Sequence, residues 1–447
     1  MGEIYHVAMT LIFWETIWPA RNASQSDAGG PTLRFDFFPS VDIFIPTAGE
    51  PVDIVKNTLE AAKKIRYKGK KTIYILNDGF VAKKDNWRDI QKLAKNLNVS
   101  CLTRIIPGGA KAGNINNALN QTSGEIVVIF DADMVSYPEF LEKTINYFVD
   151  KNVAFVQTPQ FYKNAGTNLI SRASWEQQAF FFGPIMRGKE KDNSVFICGT
   201  NVAIRRSALV EIGGFVTNNI AEDFATSIKI HQRGYRSIYV PKILAAGLAP
   251  EDLGSYLKQQ LRWTRGNIET FLYENVFFKR GLSLRQKIQY FSSSAFFLGG
   301  LFVLIDMIIP VIFLFTSLQP VTAATTTFAL FFIPFMFLNI YTLYISSNSA
   351  LTFRAISFTQ SSWNIQIFAL VSALLKIKMG FVVTPKTAQK NNYISLAFPH
   401  IAYILLAAIG TAFALHREGL NPPVATNLAW VIFNIVMFVP FIKAAYD

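Results

Sequence analysis

Glu125-Ile126-Val127-Val128-Ile129-Phe130-Asp131-Ala132-Asp133 is an apolar run that ends in two carboxylates. A short apolar run of this kind reads as a strand buried on both faces. Two like charges at the end of such a strand are costly unless a cation neutralises them. Hard oxygen ligands suit Mg²⁺ or Mn²⁺, which would in turn bridge a diphosphate. For an isolated Asp-x-Asp the alternative is a pair of solvated loop carboxylates. The strand directly before Asp131 weighs toward the metal.

Outward from this run the same pattern recurs. Val41 to Ile45, Thr72 to Leu76 and Val153 to Gln157 are further apolar runs. Between them lie polar, Lys-rich stretches with helical spacing, Val52 to Lys64 and Trp87 to Asn96. Strand and helix in alternation predict a parallel sheet covered on both faces, with ligands bound beyond the carboxyl ends of its strands. The acidic motifs fall at those ends.

Other motifs each admit two readings. Leu76-Asn77-Asp78-Gly79 closes an earlier strand; it is a turn by composition, or Asp78 accepts hydrogen bonds from a base or ribose. Lys111 to Ala118 puts a cation and small residues at a loop-to-helix junction. That is a phosphate site or a capped helix with a surface Lys. Glu222-Asp223 follows the Gly213-Gly214 turn and opens a helix, as an ordinary acidic start or with Asp223 as a general base. Gln259, Arg262 and Trp263 share one helix face. The Arg would stabilise a diphosphate and the Trp stack on a sugar ring, or the helix packs its Trp on the core. Phe381-Val382-Val383-Thr384-Pro385-Lys386 is a loop able to fold over a ligand, or a basic juxtamembrane linker.

Composition changes near residue 280. The chain has 447 residues, 51% of them hydrophobic, with 40 Phe, which is too apolar for an ordinary soluble enzyme. Four spans are expected at about 291–317, 323–347, 398–416 and 424–442, each near the ~20 residues a bilayer needs. Lys279, Arg280, Arg285 and Lys287 precede the first span; Lys376, Lys378, Lys386 and Lys390 precede the third. The positive-inside rule then puts the α/β domain and segment 376–397 on the cytosolic side. Residues 353–375, interrupted by Arg354, Asn364 and Gln366, read as a helix in the interface. The N-terminal apolar run from Ile4 to Trp18 is short for a span and lacks the features of a cleavable signal. Asp306 in the first span faces a polar path or pairs with a neighbouring helix. The net charge of +13 comes without any nucleic-acid motif, so a basic face toward anionic lipid and anionic ligands explains it and nucleic acid is excluded as a partner. Two cysteines, Cys101 and Cys198, give no disulfide framework, which fits a reducing compartment.

Taken together and in this order, the motifs resemble processive family 2 glycosyltransferases, and most closely those of the bacterial cellulose synthase type. The likeness runs from about Phe38 to Lys386. It is carried by Pro39 to Thr47, Lys111 to Leu119, Asp131 to Asp133, Gln157-Thr158-Pro159, Phe196 to Thr200, Glu222-Asp223, Gln259 to Trp263 and Phe381 to Lys386. It implies a GT-A domain, an α/β fold with a mixed, mostly parallel sheet, fused to an α-helical transmembrane domain. The expected organisation is an N-terminal segment (1–34), a cytosolic GT-A domain (35–280) and a transmembrane domain (281–447) whose gating loop is 376–397.

The resemblance also implies roles. Asp223, with Glu222 beside it, would be the catalytic base. Thr47, Glu50, Asp78, Lys111, Asp131, Gln259 and Arg262 would meet the UDP-sugar, and Phe381, Val383, Thr384 and Lys386 would close over it. Trp263, Cys198, Gly199 and Thr200 would line the acceptor, and Asp131 and Asp133 would hold Mg²⁺ or Mn²⁺. Departures from the family pattern are Ala48-Gly49 in place of Tyr-Asn, Asn77 in place of Asp, and Met134 in place of His. No PilZ domain follows the last span, which carries the expectation that control by cyclic-di-GMP is absent.

The implied activity is an inverting, processive synthesis of a β-linked polysaccharide, a β-glucan from UDP-glucose in the leading reading, with translocation across the plasma (inner) membrane. Expected partners are the donor, the growing polymer, the bilayer, and an accessory export subunit or a second copy of the chain. The alternatives are a synthase of a β-1,3-glucan or amino-sugar polymer, a single-sugar transferase acting on a lipid, and a transporter or sensor with a degenerate nucleotide-binding domain.

Overall fold

The computed structural model describes residues 2–22, 36–319, 325–347, 351–377 and 392–446. Its centre is a seven-stranded sheet in the order β3-β2-β1-β4-β7-β6-β8. The strands are β1 (Val41–Thr47), β2 (Lys71–Asn77), β3 (Ser100–Thr103), β4 (Ile126–Ile129), β6 (Val153–Gln157), β7 (Val202–Arg205) and β8 (Arg236–Tyr239). A separate two-stranded ribbon pairs β5 (Val135–Ser136) with β9 (Ala245–Ala246). All pairings in the large sheet are parallel except those of β7, which runs against both β4 and β6. The sheet is therefore mixed and mostly parallel, as expected.

Both faces are covered, which is why its strands are apolar throughout rather than alternating. Ile43 and Ile45 of β1, with Ile126 and Val128 of β4, face one core beneath the helices Val52–Lys64 and Trp87–Asn96. Phe44, Val127 and Ile129 face the other, beneath Ala110–Leu119. This is the two-residue period of a strand divided between two layers. Asp42 is buried within β1 at 4% exposure, where it takes Arg206 at 2.7 Å and the Gly124 N–H at 2.6 Å.

Among the described residues three helices are long and apolar enough to cross a membrane: Leu284–Thr316, Ile394–Glu418 and Pro422–Tyr446. The first begins seven residues before the expected span, at a capping box in which Ser283 and Gln286 bond each other's backbone N–H. The expected second span falls in the helix Thr325–Ser346, whose continuous apolar part is Ala329–Ile345. Segment 353–375 forms two helices, Phe353–Ser361 and Trp363–Leu374. The second packs Ala369 and Ala373 on Ile268 of the helix Leu253–Tyr273.

The N-terminal run forms a 21-residue helix, Gly2–Asn22, antiparallel to the first long apolar helix. Tyr5 stacks on Phe302 with centroids 3.9 Å apart, and Thr16 bonds Gln289. His6 Nε2 lies 3.1 Å from Asp306, so the partner of Asp306 is on a neighbouring helix.

Candidate active site

One wall of the cleft is built from loops at the carboxyl ends of β1 and β2. Asp78 N–H donates to the Thr47 carbonyl at 2.8 Å. The Thr47 hydroxyl points inward to the Leu76 carbonyl (3.5 Å) and the residue is 2% exposed. Asn77 makes the predicted turn, accepting from Gly79 N–H at 3.0 Å and donating to the Trp87 carbonyl at 2.8 Å. Glu50 takes the Ala48 N–H at 2.6 Å. Both oxygens of Asp78 are held by Arg104, which also bonds the carbonyls of Gly108 and Ala110. The pair therefore anchors the loop that leads into the Ala110–Leu119 helix and presents Lys111.

Lys111 joins two walls of the cleft. Its ammonium pairs with Asp131 and donates to the Gly199 carbonyl at 2.8 Å. Burial alone would lower the Lys111 pKa, but Asp131, Glu222 and Asp223 outweigh it and raise it, so the side chain stays charged. The Asp131 N–H donates to the Thr200 hydroxyl at 2.9 Å. Asp133 is 4% exposed and accepts from Leu248 N–H at 3.3 Å.

Gly199 has φ +79°, and a β-carbon there would lie 3.2 Å from Asp223 Oδ2 and 3.6 Å from Lys111 Nζ. Absence of a side chain at Gly199 is what lets the acid pair approach the cation. Glu222 and Asp223 form the first turn of the helix Glu222–Gln232, and Asp223 accepts from Phe224 N–H at 2.8 Å. Burial, and then the Asp223 charge, push the Glu222 carboxyl up to about 7 against Lys111 and Arg262. Burial raises Asp223 as well, opposed by the Phe224 N–H, Lys111 and Arg262. The two titrate as a pair.

The segment Cys198 to Thr200 is locked by Gln157, which is fully buried. Its amide donates to the carbonyls of Thr158 (2.8 Å) and Thr200 (2.9 Å) and accepts from Cys198 N–H (2.9 Å). Gln160 adds a bond to the Cys198 carbonyl at 2.8 Å. Burial, with Asp223 nearby, raises the Cys198 thiol well above its ordinary value, so it is a neutral group.

The Leu253–Tyr273 helix closes the site, with Asp252 capping it at the Ser255 N–H (2.8 Å). Gly266 fixes its approach: a β-carbon there would fall 2.6 Å from the Ala221 backbone nitrogen. The helix thereby brings the positive charge of Arg262 up to Glu222 and Asp223. Gln259 is 9% exposed and lies beside the Tyr162 phenol. Tyr162 is 2% exposed, bridges to Gly247, and sits in the fields of Asp133, Arg262 and Asp131. Trp263 is half-buried on the same helix.

The sequence-predicted residues Lys111, Asp131, Gly199, Thr200, Glu222, Asp223 and Arg262 thus meet around one cleft. Thr47 and Asp78 stand at the carboxyl ends of β1 and β2 with their side chains turned to structural partners. Phe381, Val383, Thr384 and Lys386 lie outside the described residues. Arg104 and Tyr162 carry roles that no motif flagged.

No group of three His, Cys, Asp or Glu side chains among the described residues is placed to hold a metal. A divalent ion that keeps water and phosphate ligands needs only one or two carboxylates from the protein. Asp131, with its side chain 38% exposed, and the adjacent Asp133 supply that set, so the residues fit such an ion.

Residues 39–266 match the family model described as glycosyltransferase like family 2, and residues 210–409 match that of cellulose synthase. The chain is 30% identical over 463 residues to the cellulose synthase catalytic subunit [UDP-forming] of Pseudomonas fluorescens (strain SBW25), covering 97% of this chain and 60% of that one. With the subunit of the same name from Xanthomonas axonopodis pv. citri (strain 306) the identity is 31% over 465 residues, covering 100% and 62%. The chain spans about three fifths of the length of these relatives. Among solved structures, the mannosyltransferase PcManGT from Pyrobaculum calidifontis, in complex with GDP-Man and Mn²⁺, is similar at TM-score 0.56 and 18% identity. That likeness covers 85% of this chain and 100% of the other, and it extends to the fold alone.

Proposed function

The chain belongs to the glycosyltransferase like family 2, and on that premise we propose that it is a membrane-integrated synthase extending a β-linked polysaccharide, a β-glucan, from UDP-glucose. The observation that carries the reading is the meeting of Asp223 and Lys111 across Gly199, with Arg262 brought to the same pair by the Leu253–Tyr273 helix. A carboxylate, two cations and a carboxylate pair around one cleft are what transfer from a sugar diphosphate requires.

The acceptor hydroxyl loses its proton to Asp223, and its oxygen forms a bond to the anomeric carbon. The bond from that carbon to the diphosphate oxygen breaks, and UDP leaves with the electron pair. Attack opposite the leaving group inverts the anomeric centre and gives a β-linkage. A raised pKa makes Asp223 a stronger base than a solvated carboxylate. Arg262 and Lys111 face the negative charge that develops on the diphosphate. Asp131 and Asp133 would hold Mg²⁺ or Mn²⁺, which would supply further charge neutralisation for the departing diphosphate. Gln259 positions the donor, while Trp263 stacks beneath the acceptor sugar with Cys198, Gly199 and Thr200 beside it. Asp78 and Thr47 act by shaping the donor loop.

The long apolar helices support a membrane protein, and the cations before the first of them, Lys279, Arg280, Arg285 and Lys287, favour a reading with the catalytic domain on the cytosolic side of the inner membrane. The polymer leaves through the helical domain, alone or with an accessory export subunit or a second copy. The test incubates detergent-solubilised protein and Mn²⁺ or Mg²⁺ with UDP-glucose, UDP-N-acetylglucosamine or UDP-glucuronate, measuring UDP release and digesting the product with linkage-specific glucanases. Release with UDP-glucose and a long glucanase-sensitive product is expected. Turnover with another donor, or a product one sugar long, would overturn the glucan reading.

A further inference from the structure

The short turn that carries Asp131 and Asp133 is tied at both ends to Asn201, a residue far away in sequence. The Asp131 N–H donates to the Thr200 hydroxyl at 2.9 Å, and that hydroxyl donates to Asn201 Oδ1 at 3.1 Å. Asn201 Nδ2 donates to the Pro159 carbonyl at 3.1 Å and lies 3.8 Å from the Met134 sulfur, at the other end of the turn. Between the two ends, the Met134 N–H closes the turn on the Asp131 carbonyl at 2.9 Å.

The direction of this chain follows from its last member. A carbonyl can only accept, so Pro159 takes the nitrogen side of the Asn201 amide and leaves Oδ1 facing Thr200. Oδ1 then draws the hydroxyl proton away from Asp131, which keeps a lone pair of the Thr200 oxygen for the Asp131 N–H. Thr200 and Asn201 are both fully buried, so water does not compete for these groups. The backbone of Asn201 is fixed as well. Its φ of +54° is left-handed, a region that asparagine enters more readily than most residues. Its carbonyl accepts from the Thr158 N–H at 3.1 Å and the Thr158 hydroxyl at 3.0 Å. A glycine would meet those backbone demands; the amide side chain is what adds the link to the carboxylate turn.

We propose that Asn201 is a positioning residue for the cation site, fixing through Thr200 and Met134 the backbone from which Asp131 and Asp133 present their carboxylates. It acts through those neighbours, without touching the cation. Because Asn201 follows directly on Cys198 to Thr200, it also couples the carboxylate turn to the wall proposed to receive the acceptor. The role rests on the reading above in which Asp131 and Asp133 hold Mg²⁺ or Mn²⁺.

Isothermal titration of Mn²⁺ into the purified full chain saturated with UDP tests this, beside thermal melts of the same proteins. Asn201→Gly keeps the left-handed backbone and deletes the amide, and is expected to weaken Mn²⁺ binding roughly three- to tenfold. Thr200→Val cuts the same chain at the hydroxyl with little change of volume and is expected to weaken it to a similar degree. Thr158→Val removes a buried bond to the Asn201 carbonyl but leaves the chain to Asp131 intact. It should lower Tm while Mn²⁺ affinity stays at the wild-type value. Unchanged Mn²⁺ affinity in Asn201→Gly and Thr200→Val, or an equal loss in Thr158→Val, would overturn the role of Asn201 and leave the metal reading standing. A wild type that binds no Mn²⁺ beside UDP would instead remove Asp131 and Asp133 as ligands, and this role with them.

Discussion

Arg104 grips Asp78 with Nε on Oδ1 at 2.7 Å and Nη2 on Oδ2 at 2.5 Å, and both side chains are only 8% exposed. A buried pair of this geometry destabilises strongly when one partner is removed, by about 3–5 kcal/mol, because the other is left charged and unpaired. Arg104→Ala should therefore lower Tm by several degrees and also weaken donor binding, since the same guanidinium holds the loop before Lys111. Calorimetry and UDP titration check both. An unchanged Tm would show that the pair is not closed in solution.

Asp223→Asn should keep UDP binding while reducing transfer by about 10²–10⁴-fold, the usual contribution of a positioned base. Isothermal titration with UDP, beside initial rates of UDP release, separates the two. Wild-type turnover would remove Asp223 from the mechanism.

The acid pair predicts a pH signature. Glu222 titrates at about 7 rather than 4.5, raised first by burial and then by Asp223. Transfer should rise as the pair loses its last proton near that value, and Glu222→Gln should move the rising limb to lower pH by removing the repulsion between the two. The stability effect has the opposite sign. The folded state holds a proton that the unfolded state has released, so stability present below about 4.5 is lost as pH rises through about 7. Glu222→Gln should flatten that decline in a denaturant series run at several pH values.

Gly266→Ala puts a methyl 2.6 Å from the Ala221 nitrogen. Overpacking of this kind costs about 1–3 kcal/mol, and here it would also push the Arg262 helix away from Glu222 and Asp223. The expected result is a larger fall in kcat than in stability. A loss of stability with normal turnover would separate the contact from catalysis.

Tyr162→Phe removes the phenol oxygen beside Gln259, a polar contact worth about 0.5–1.5 kcal/mol. Donor KM should rise a few-fold with kcat little altered, since Gln259 would lose its anchor while Asp223 and Lys111 keep theirs. A change confined to kcat would argue for a closer role for the phenol.

Much of this was legible before any coordinates. The strands at Val41 and Lys71 and the helices Val52–Lys64 and Trp87–Asn96 follow from apolar runs and spacing, because a sheet buried on both faces leaves an unambiguous pattern. The reversed strand β7 does not, since three apolar residues and an arginine carry no sign of direction. The site residues were legible as motifs, but their partners were not. Arg104 reaches Asp78 across 26 positions and Tyr162 reaches Gln259 across nearly a hundred, distances that only the fold closes. The Asn-Asp-Gly turn shows the same limit: composition gave its shape, while the use of both Asp78 oxygens by Arg104 depends on a strand neighbour.

The reversal of β7 also separates the cleft into two inheritances. The loops proposed to meet the donor leave the ends of β1, β2 and β4, whereas Cys198 to Thr200 enter the cleft ahead of β7. Changes of length before β7 can therefore reshape what is received without disturbing the loops that present what is given. A graft of residues 193–201 between relatives with different polymers is a clean way to exchange one preference while conserving the other.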